Sequence, residues 1–255
     1  MNDKDILQNV QVVILAAGKG KRMESDLPKA LTPLFGKPFL RHILNTLSEL
    51  GLPAKPVIVV GHKKEEVIKA IGEEYSYAHQ KEQLGTGHAV MSAKDHMHPE
   101  HETVLVLSTD QPLISRETIL KILEKHKSEK PAITLGTVVV PDFDDWRSAM
   151  MHFGRIVRDS SGKVIKNVEW KDATEEEKEI KEVNPALYAF DRDWLWENIN
   201  KLQNHNAQGE YYLTDLIKMA FDQGKSVEAV PVYDIIEGLQ PNSKQELEIL
   251  ENAAP

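Results

Sequence analysis

The chain has 255 residues, 41% of them hydrophobic, enough apolar material for one substantial α/β domain. Its 40 acidic residues outnumber its 31 basic ones, a formal net charge of −9 that excludes a general binder of nucleic acid or anionic membrane. No cysteine is present, which excludes a disulfide framework, a thiolate metal site and a Cys nucleophile; with the polar start MNDKDILQN and no membrane-length apolar run, a cytoplasmic protein is expected.

The first element is an apolar run at 12–17, closed by Gly18 and Gly20. A run of this length ended by glycines reads as a buried strand feeding a loop. The loop carries Lys19, Lys21, Arg22 and, further on, Lys29. Glycines let backbone N–H groups crowd an anion, and basic side chains add charge-assisted contacts, so this is a candidate triphosphate loop. It is neither a G-x-x-x-x-G-K-[ST] loop nor a dinucleotide fingerprint, whose third glycine position holds Met23.

Residues 38–50 have helical spacing behind a first-turn Pro38, 56–60 is a short strand, and 63–71 is a second helix. Strand, helix, strand, helix in this order predicts a parallel sheet. Residues 79–89 (HQKEQLGTGHA) hold a second Gly-rich turn in which Thr86 is placed to cap the next helix. The amides of Gln80 and Gln83 suit the imide edge of uracil, although a polar loop before a helix would read the same way. Residues 103–107 form the next buried strand and end at Asp110, a hard oxygen ligand for Mg²⁺ at the carboxyl end of a parallel strand, or an Asx turn before Pro112. The histidine-rich tract 95–101 reads as a solvated loop.

Residues 115–126 are predicted as a helix and 132–140 as a strand, with 141–152 an irregular segment over the site. Gly154 opens a second region. It has a strand at 164–171 carrying Glu169 and Lys171, a charged helix at 173–179, and one strand at 182–190 containing Asn184. The NAQGEYYLTD string at 206–215 reads as a helix start with aromatic packing, followed by an apolar face of Leu216, Ile217, Ala220 and Phe221. A late strand (226–233), Glu237-Gly238 and a final helix with Leu247 and Leu250 complete the chain.

The loop with Arg22, the Leu27-Pro28-Lys29 triplet, QLGTGHA and NAQGEYYLTD together resemble the sugar nucleotidyltransferases. Within them, the resemblance is to the N-acetylglucosamine-1-phosphate uridylyltransferase domain of the bacterial bifunctional uridylyltransferase/acetyltransferases. It implies a Rossmann-like nucleotidyltransferase fold, a mixed and mostly parallel sheet flanked by helices with an inserted sugar-binding lobe. One domain over 1–255 is expected, with a nucleotide-binding part at about 8–140, an acceptor part at 141–233 and a metal-ligand loop and helix at 234–255. It implies UTP and a sugar 1-phosphate as partners, UDP-sugar and pyrophosphate as products, and Mg²⁺ as cofactor.

Residue by residue, the resemblance assigns Leu15, Ala16, Ala17, Gly18, Lys19 and Gly20 to the nucleotide, with Arg22 and Lys29 catalytic. Gln80, Gln83, Gly85 and Thr86 would read the base. Asp110 and Asn242 would hold the metal, with Gln240 a substitute for Asn242. Thr109, Gly154, Glu169, Lys171 and Asn184 would bind the sugar. The chain departs from the family at Asn184-Pro185-Ala186, where Asn-Thr-Gly is usual, and at Thr109-Asp110, where Gly-Asp is usual. Other readings are a different acceptor such as glucose 1-phosphate, a molybdopterin nucleotidyltransferase, and a non-catalytic nucleotide-binding relative. No hexapeptide repeat is present, so a monomer without acetyltransferase activity is expected.

Overall fold

The structure is a computed structural model that describes residues 2–20, 23 and 26–253. Arg22, a candidate catalytic residue, lies outside the described residues. The central strand β1 (Val10–Ala16) pairs in parallel with β4 (Val57–Val60) on one side and β6 (Thr103–Ser108) on the other. β5 (Ser76–His79) extends the parallel set beyond β4. β1, β4 and β6 read as nearly continuous Val/Ile/Leu runs because helices cover both sheet faces.

Alternation along β1 divides the core. Val12, Ile14 and Ala16 pack on α2 (Phe39–Leu50), α3 (Lys64–Ile71) and α5 (Arg116–Glu129). Val13 and Ala17 face the other way, in a cluster with α4 (Thr86–Ser92), α7 (Arg192–Asn198) and α8 (Asp215–Asp222). Two further helices, α1 (Asp3–Leu7) and α6 (Glu175–Lys178), are short. Pro38 occupies the N-cap position of α2, one residue before the first turn predicted for it.

The second half of the chain enlarges the same sheet. β7 (Ile133–Val139), β8 (Gly154–Arg158), β9 (Val164–Val168), β10 (Glu182–Asn184) and β11 (Tyr188–Asp191) give the order β5-β4-β1-β6-β11-β7-β10-β8-β9, and β12 (Val227–Pro231) pairs in parallel with β7. The hairpin of β2 (Pro33–Leu34) and β3 (Lys37–Pro38) stands apart. Helix α9 (Lys244–Ala253) follows the last loop. Phe221 is not on the core face of α8: it is 41% exposed. The segment after β7 is not irregular throughout, since Asp145–Met150 winds a 3-10 helix that buries Met150.

The predicted strand 182–190 is two strands, β10 and β11. Val183 faces Val138 and Tyr188 faces Leu135, five residues set against three on β7, so pairing cannot continue in register. Pro185 has no N–H to give to a ladder, and Ala186 sits at φ 59°, in the left-handed region. Asn184 Oδ1 accepts the Ala186 N–H at 2.9 Å and closes the turn. A left-handed non-glycine costs roughly 1–2 kcal/mol, partly offset by the smaller unfolded-state freedom of alanine. Ala186→Gly is therefore expected to stabilise the fold by about 1 kcal/mol, a rise of about 2–4 °C in Tm. An unchanged or lower Tm in thermal unfolding would show that the turn carries no strain.

His126 on α5 is buried, with Nδ1 3.0 Å from the Thr134 hydroxyl. Burial pushes its pKa down to about 4, against a smaller opposing pull from Asp191. The unfolded chain takes up this proton near pH 6.5 and the native state refuses it until about 4. Stability should therefore fall as pH drops through that window, by roughly 3 kcal/mol at most. A His126→Gln variant should lose less over the same range in denaturant titrations; equal losses would assign the acid sensitivity to other groups.

Candidate active site

The carboxyl ends of β1, β4, β5 and β6 meet at one edge of the sheet, the usual place for ligands in open α/β folds. After β1 the chain leaves the core at Gly18 and Lys19, both exposed. Gly20 takes φ 62°, and a Cβ there would stand 3.2 Å from Lys29 Cβ. The Lys29 N–H donates to the Gly18 carbonyl at 3.3 Å. The loop thus doubles back on the Leu27-Pro28-Lys29 triplet, which explains why the two motifs belong together.

Lys29 is buried, and its ammonium lies 2.9 Å from Asp110 Oδ2 and 2.6 Å from Asn242 Oδ1. Burial pushes the Asp110 carboxyl up, but Lys29 and hydrogen bonds outweigh it and hold the group below the usual carboxylate range. The second oxygen, Asp110 Oδ1, is buried with no hydrogen-bond partner among the described residues. Asn242 Nδ2 donates to the Gln240 carbonyl at 2.8 Å, and the Gln240 side-chain amide donates to the Pro185 carbonyl. Asn242, not Gln240, therefore faces Asp110.

Beside this cluster lies a cavity of about 1070 Å³. Leu15, Thr86, Asp110, Gly154, Glu169, Lys171, Asn184 and Asn242 all line it. Asn167 links three of its walls. It donates to Glu169 Oε1 at 3.0 Å, accepts from Asn184 Nδ2 at 3.1 Å, and leaves no room for a Cβ at Gly154, which would meet its amide at 2.6 Å. Burial raises the Glu169 pKa, with hydrogen bonds from Thr214 and Asn167 opposing. Thr109 does not line the cavity. Side chains alternate along the strand end, so Ser108 and Asp110 face the cavity while the Thr109 hydroxyl donates to the Leu15 carbonyl at 3.0 Å.

Gln80 Nε2 donates to the Gly85 carbonyl at 3.1 Å, and Gln83 Nε2 to the Ala17 carbonyl at 2.9 Å. Gly85, not Thr86, is the N-cap of α4, at φ 107°. The Thr86 hydroxyl instead accepts the Leu213 N–H at 3.1 Å. Among the described residues no group of three or more His, Cys, Asp or Glu is placed to hold a metal, so the tract 95–101 gathers no site. His101 within it is buried rather than solvated.

The string at 206–214 is more than a helix start. It runs as a strap between the turn at 84–87 and the cavity wall at Glu169 and Lys171. Tyr211 donates its N–H to Leu84 O and accepts the Gly87 N–H on its carbonyl, both at 2.8 Å. At its ends, Thr214 Oγ1 donates to Glu169 Oε1 at 2.9 Å, and Gln208 Oε1 accepts from Lys171 Nζ at 2.9 Å. Asn167, Gln208 and Thr214 are thus cavity-shaping residues that sequence reasoning did not single out. Gln208 and Thr214 meet partners 37 and 45 residues away, and Asn167 also bonds across to Asn184, so no local pattern marked them.

A mixed sheet, parallel across β5-β4-β1-β6 and antiparallel from β6 through to β9, with a glycine loop at the carboxyl edge of its parallel half facing a Lys-Asp-Asn cluster and a polar cavity, defines a Rossmann-like nucleotidyltransferase. The chain belongs to the MobA-like NTP transferase domain family, whose model matches residues 12–212. It is 42% identical over 232 residues to the bifunctional protein GlmU of Bacillus licheniformis, covering 91% of this chain and 49% of that one. It is 39% identical over 238 residues to GlmU of Desulfotalea psychrophila, covering 92% of this chain and 68% of that one. The chain spans about half the length of the Bacillus relative. The fold is similar to a solved UDP-glucose pyrophosphorylase complexed with UDP-glucose, with TM-score 0.73, 18% identity, and 95% and 97% of the two chains covered. These relatives agree with the resemblance drawn from the loop and string motifs. Among the described residues no helix is long and apolar enough to cross a membrane.

Proposed function

We propose that the chain forms UDP-N-acetylglucosamine and pyrophosphate from UTP and N-acetylglucosamine 1-phosphate. The observation that carries this reading is the meeting of Lys29, Asp110 and Asn242 at the rim of a cavity walled by Glu169 and Asn184, with Asn167 bonded to both. The GlmU relatives favour N-acetylglucosamine 1-phosphate over the other acceptors considered.

The chemistry asks for charge control rather than a protein base. A sugar-phosphate oxygen is already ionised near neutral pH, so the obstacles are repulsion between anions and charge developing on the leaving pyrophosphate. Backbone N–H groups of 15–20 and the Lys19 ammonium receive the triphosphate, and Lys29 offsets charge near the α-phosphorus. Arg22 is assigned to the leaving pyrophosphate. Gln80 and Gln83 meet the base beside Gly85 and Thr86. Glu169, Asn184, Gly154 and Lys171 position the sugar for in-line attack.

A divalent cation fits Asp110 and Asn242. Their donors are hard carboxylate and amide oxygens, and the buried Asp110 Oδ1 has no partner among the described residues. Mg²⁺ bound there would supply Lewis-acid neutralisation of the phosphates. Pyrophosphate release from UTP with a panel of sugar 1-phosphates tests the proposal. Fastest release with N-acetylglucosamine 1-phosphate is expected; release with none of the panel would sink it.

A further inference from the structure

Gln80 follows directly on β5, its backbone N–H on the Val60 carbonyl at 2.9 Å, and is 3% exposed. Its side-chain Nε2 stands 3.1 Å from the Gly85 carbonyl and 3.2 Å from His88 Nδ1. A carbonyl oxygen only accepts, so the amide nitrogen rather than its oxygen must face Gly85. The second hydrogen on Nε2 is then directed at His88. For that contact to be a hydrogen bond, His88 Nδ1 must be the bare ring nitrogen, with the ring proton on Nε2. Both donors of the Gln80 amide are consumed in this way. Its Oε1, which has no partner among the described residues, is what remains for a ligand.

Resting on the uridylyl reading above, we infer that His88 is a positioning residue that locks the Gln80 amide with its oxygen outward, as an acceptor for the N3–H of uracil. Uracil N3 carries a proton, whereas cytosine N3 offers a lone pair. A fixed acceptor therefore pairs with the first and repels the second. Gly85 alone holds one amide hydrogen and leaves the other unpaired in a buried place, so loss of His88 removes one of the two contacts that fix the amide and leaves only the Gly85 carbonyl to oppose a turn. Once turned, it offers a donor, which suits cytosine. Discrimination built on hydrogen bonds is strong because the wrong partner leaves buried polar groups unmatched.

The test compares UTP and CTP binding by calorimetry in Mg²⁺ buffer, for the wild type, His88→Phe and His88→Asn. Phenylalanine keeps the ring and removes the acceptor nitrogen; asparagine returns an acceptor oxygen close to where Nδ1 stands. The expected result is a loss of about tenfold or more in the UTP-to-CTP preference for His88→Phe, with most of it kept in His88→Asn. An unchanged preference in His88→Phe, or an equal loss in both variants, overturns the assignment. Should His88→Phe fail to fold, imidazole ¹⁵N spectra of the wild type decide the matter: a proton on Nε2 is expected, and one on Nδ1 overturns the inference. A wild type that binds CTP as well as UTP overturns the uridylyl reading and this inference with it. A UTP-selective wild type with the other tautomer overturns the inference alone.

Discussion

Asp110→Asn is expected to lower kcat/KM by about 10²–10³-fold while the protein stays folded. The amide keeps the shape of the carboxylate and removes its charge. That charge faces the buried Lys29 ammonium at 2.9 Å and leaves Oδ1 without a partner, the two features that fit a cation and a phosphate chain. Asn242→Ala should show the same defect, because its Oδ1 stands 2.6 Å from the same ammonium. Gln240→Ala should cost less, since the Gln240 amide is turned to the Pro185 carbonyl. Manganese titration of each variant separates lost metal affinity from lost folding. An Asp110→Asn protein with near-normal turnover would remove Asp110 from the site, and a worse defect in Gln240→Ala would remove Asn242.

The largest stability effect is expected at Arg155, which is fully buried on β8. Among the described residues no carboxylate pairs with its guanidinium. It donates instead to three carbonyls, Lys178 at 3.1 Å, Phe153 at 2.6 Å and Met151 at 2.8 Å, and lies between the rings of Phe143 and Trp170 at 4.6 and 4.7 Å. Burial pushes its pKa down to about 10, so it stays charged near neutral pH. Arg155→Met would fill much of the space and strand three carbonyls whose donors are gone. A loss of about 3 kcal/mol or more is expected, a fall of about 6–12 °C in Tm. Because Phe153 and Trp170 also line the cavity, acceptor KM should rise before UTP affinity changes. A variant that melts with the parent would mean that water replaces the lost donors.

What could be read from the residues divides along physical lines. β1, β4, β6 and β7 were legible because strands buried on both faces must be apolar throughout. β5 was missed: SYAH buries only Ala78, and its pairing with β4 is a property of the assembled sheet. α1 and α7 were missed because each is short and largely polar on its outer face. Asp110 and Asn242 were legible by motif, yet their meeting at Lys29 bridges 213 residues and no local pattern encodes it. The inward turn of Thr109 follows from alternation and could have been deduced from Ser108 and Asp110. The break at Pro185 had its signal in the proline itself.

The strap at 206–214 has a geometric consequence. Its backbone is bonded to the base-side turn at Leu84 and Gly87, and its side chains are bonded to the sugar-side residues Glu169 and Lys171. It therefore sets the spacing between these two groups of residues, which under the proposed function receive the two ends of a nucleotide sugar. A side-chain substitution along it alters one grip. One inserted residue would shift every later bond by more than 3 Å of chain and put the two grips out of step. Under the proposed function, a larger nucleotide sugar would call for a longer strap rather than a different cavity.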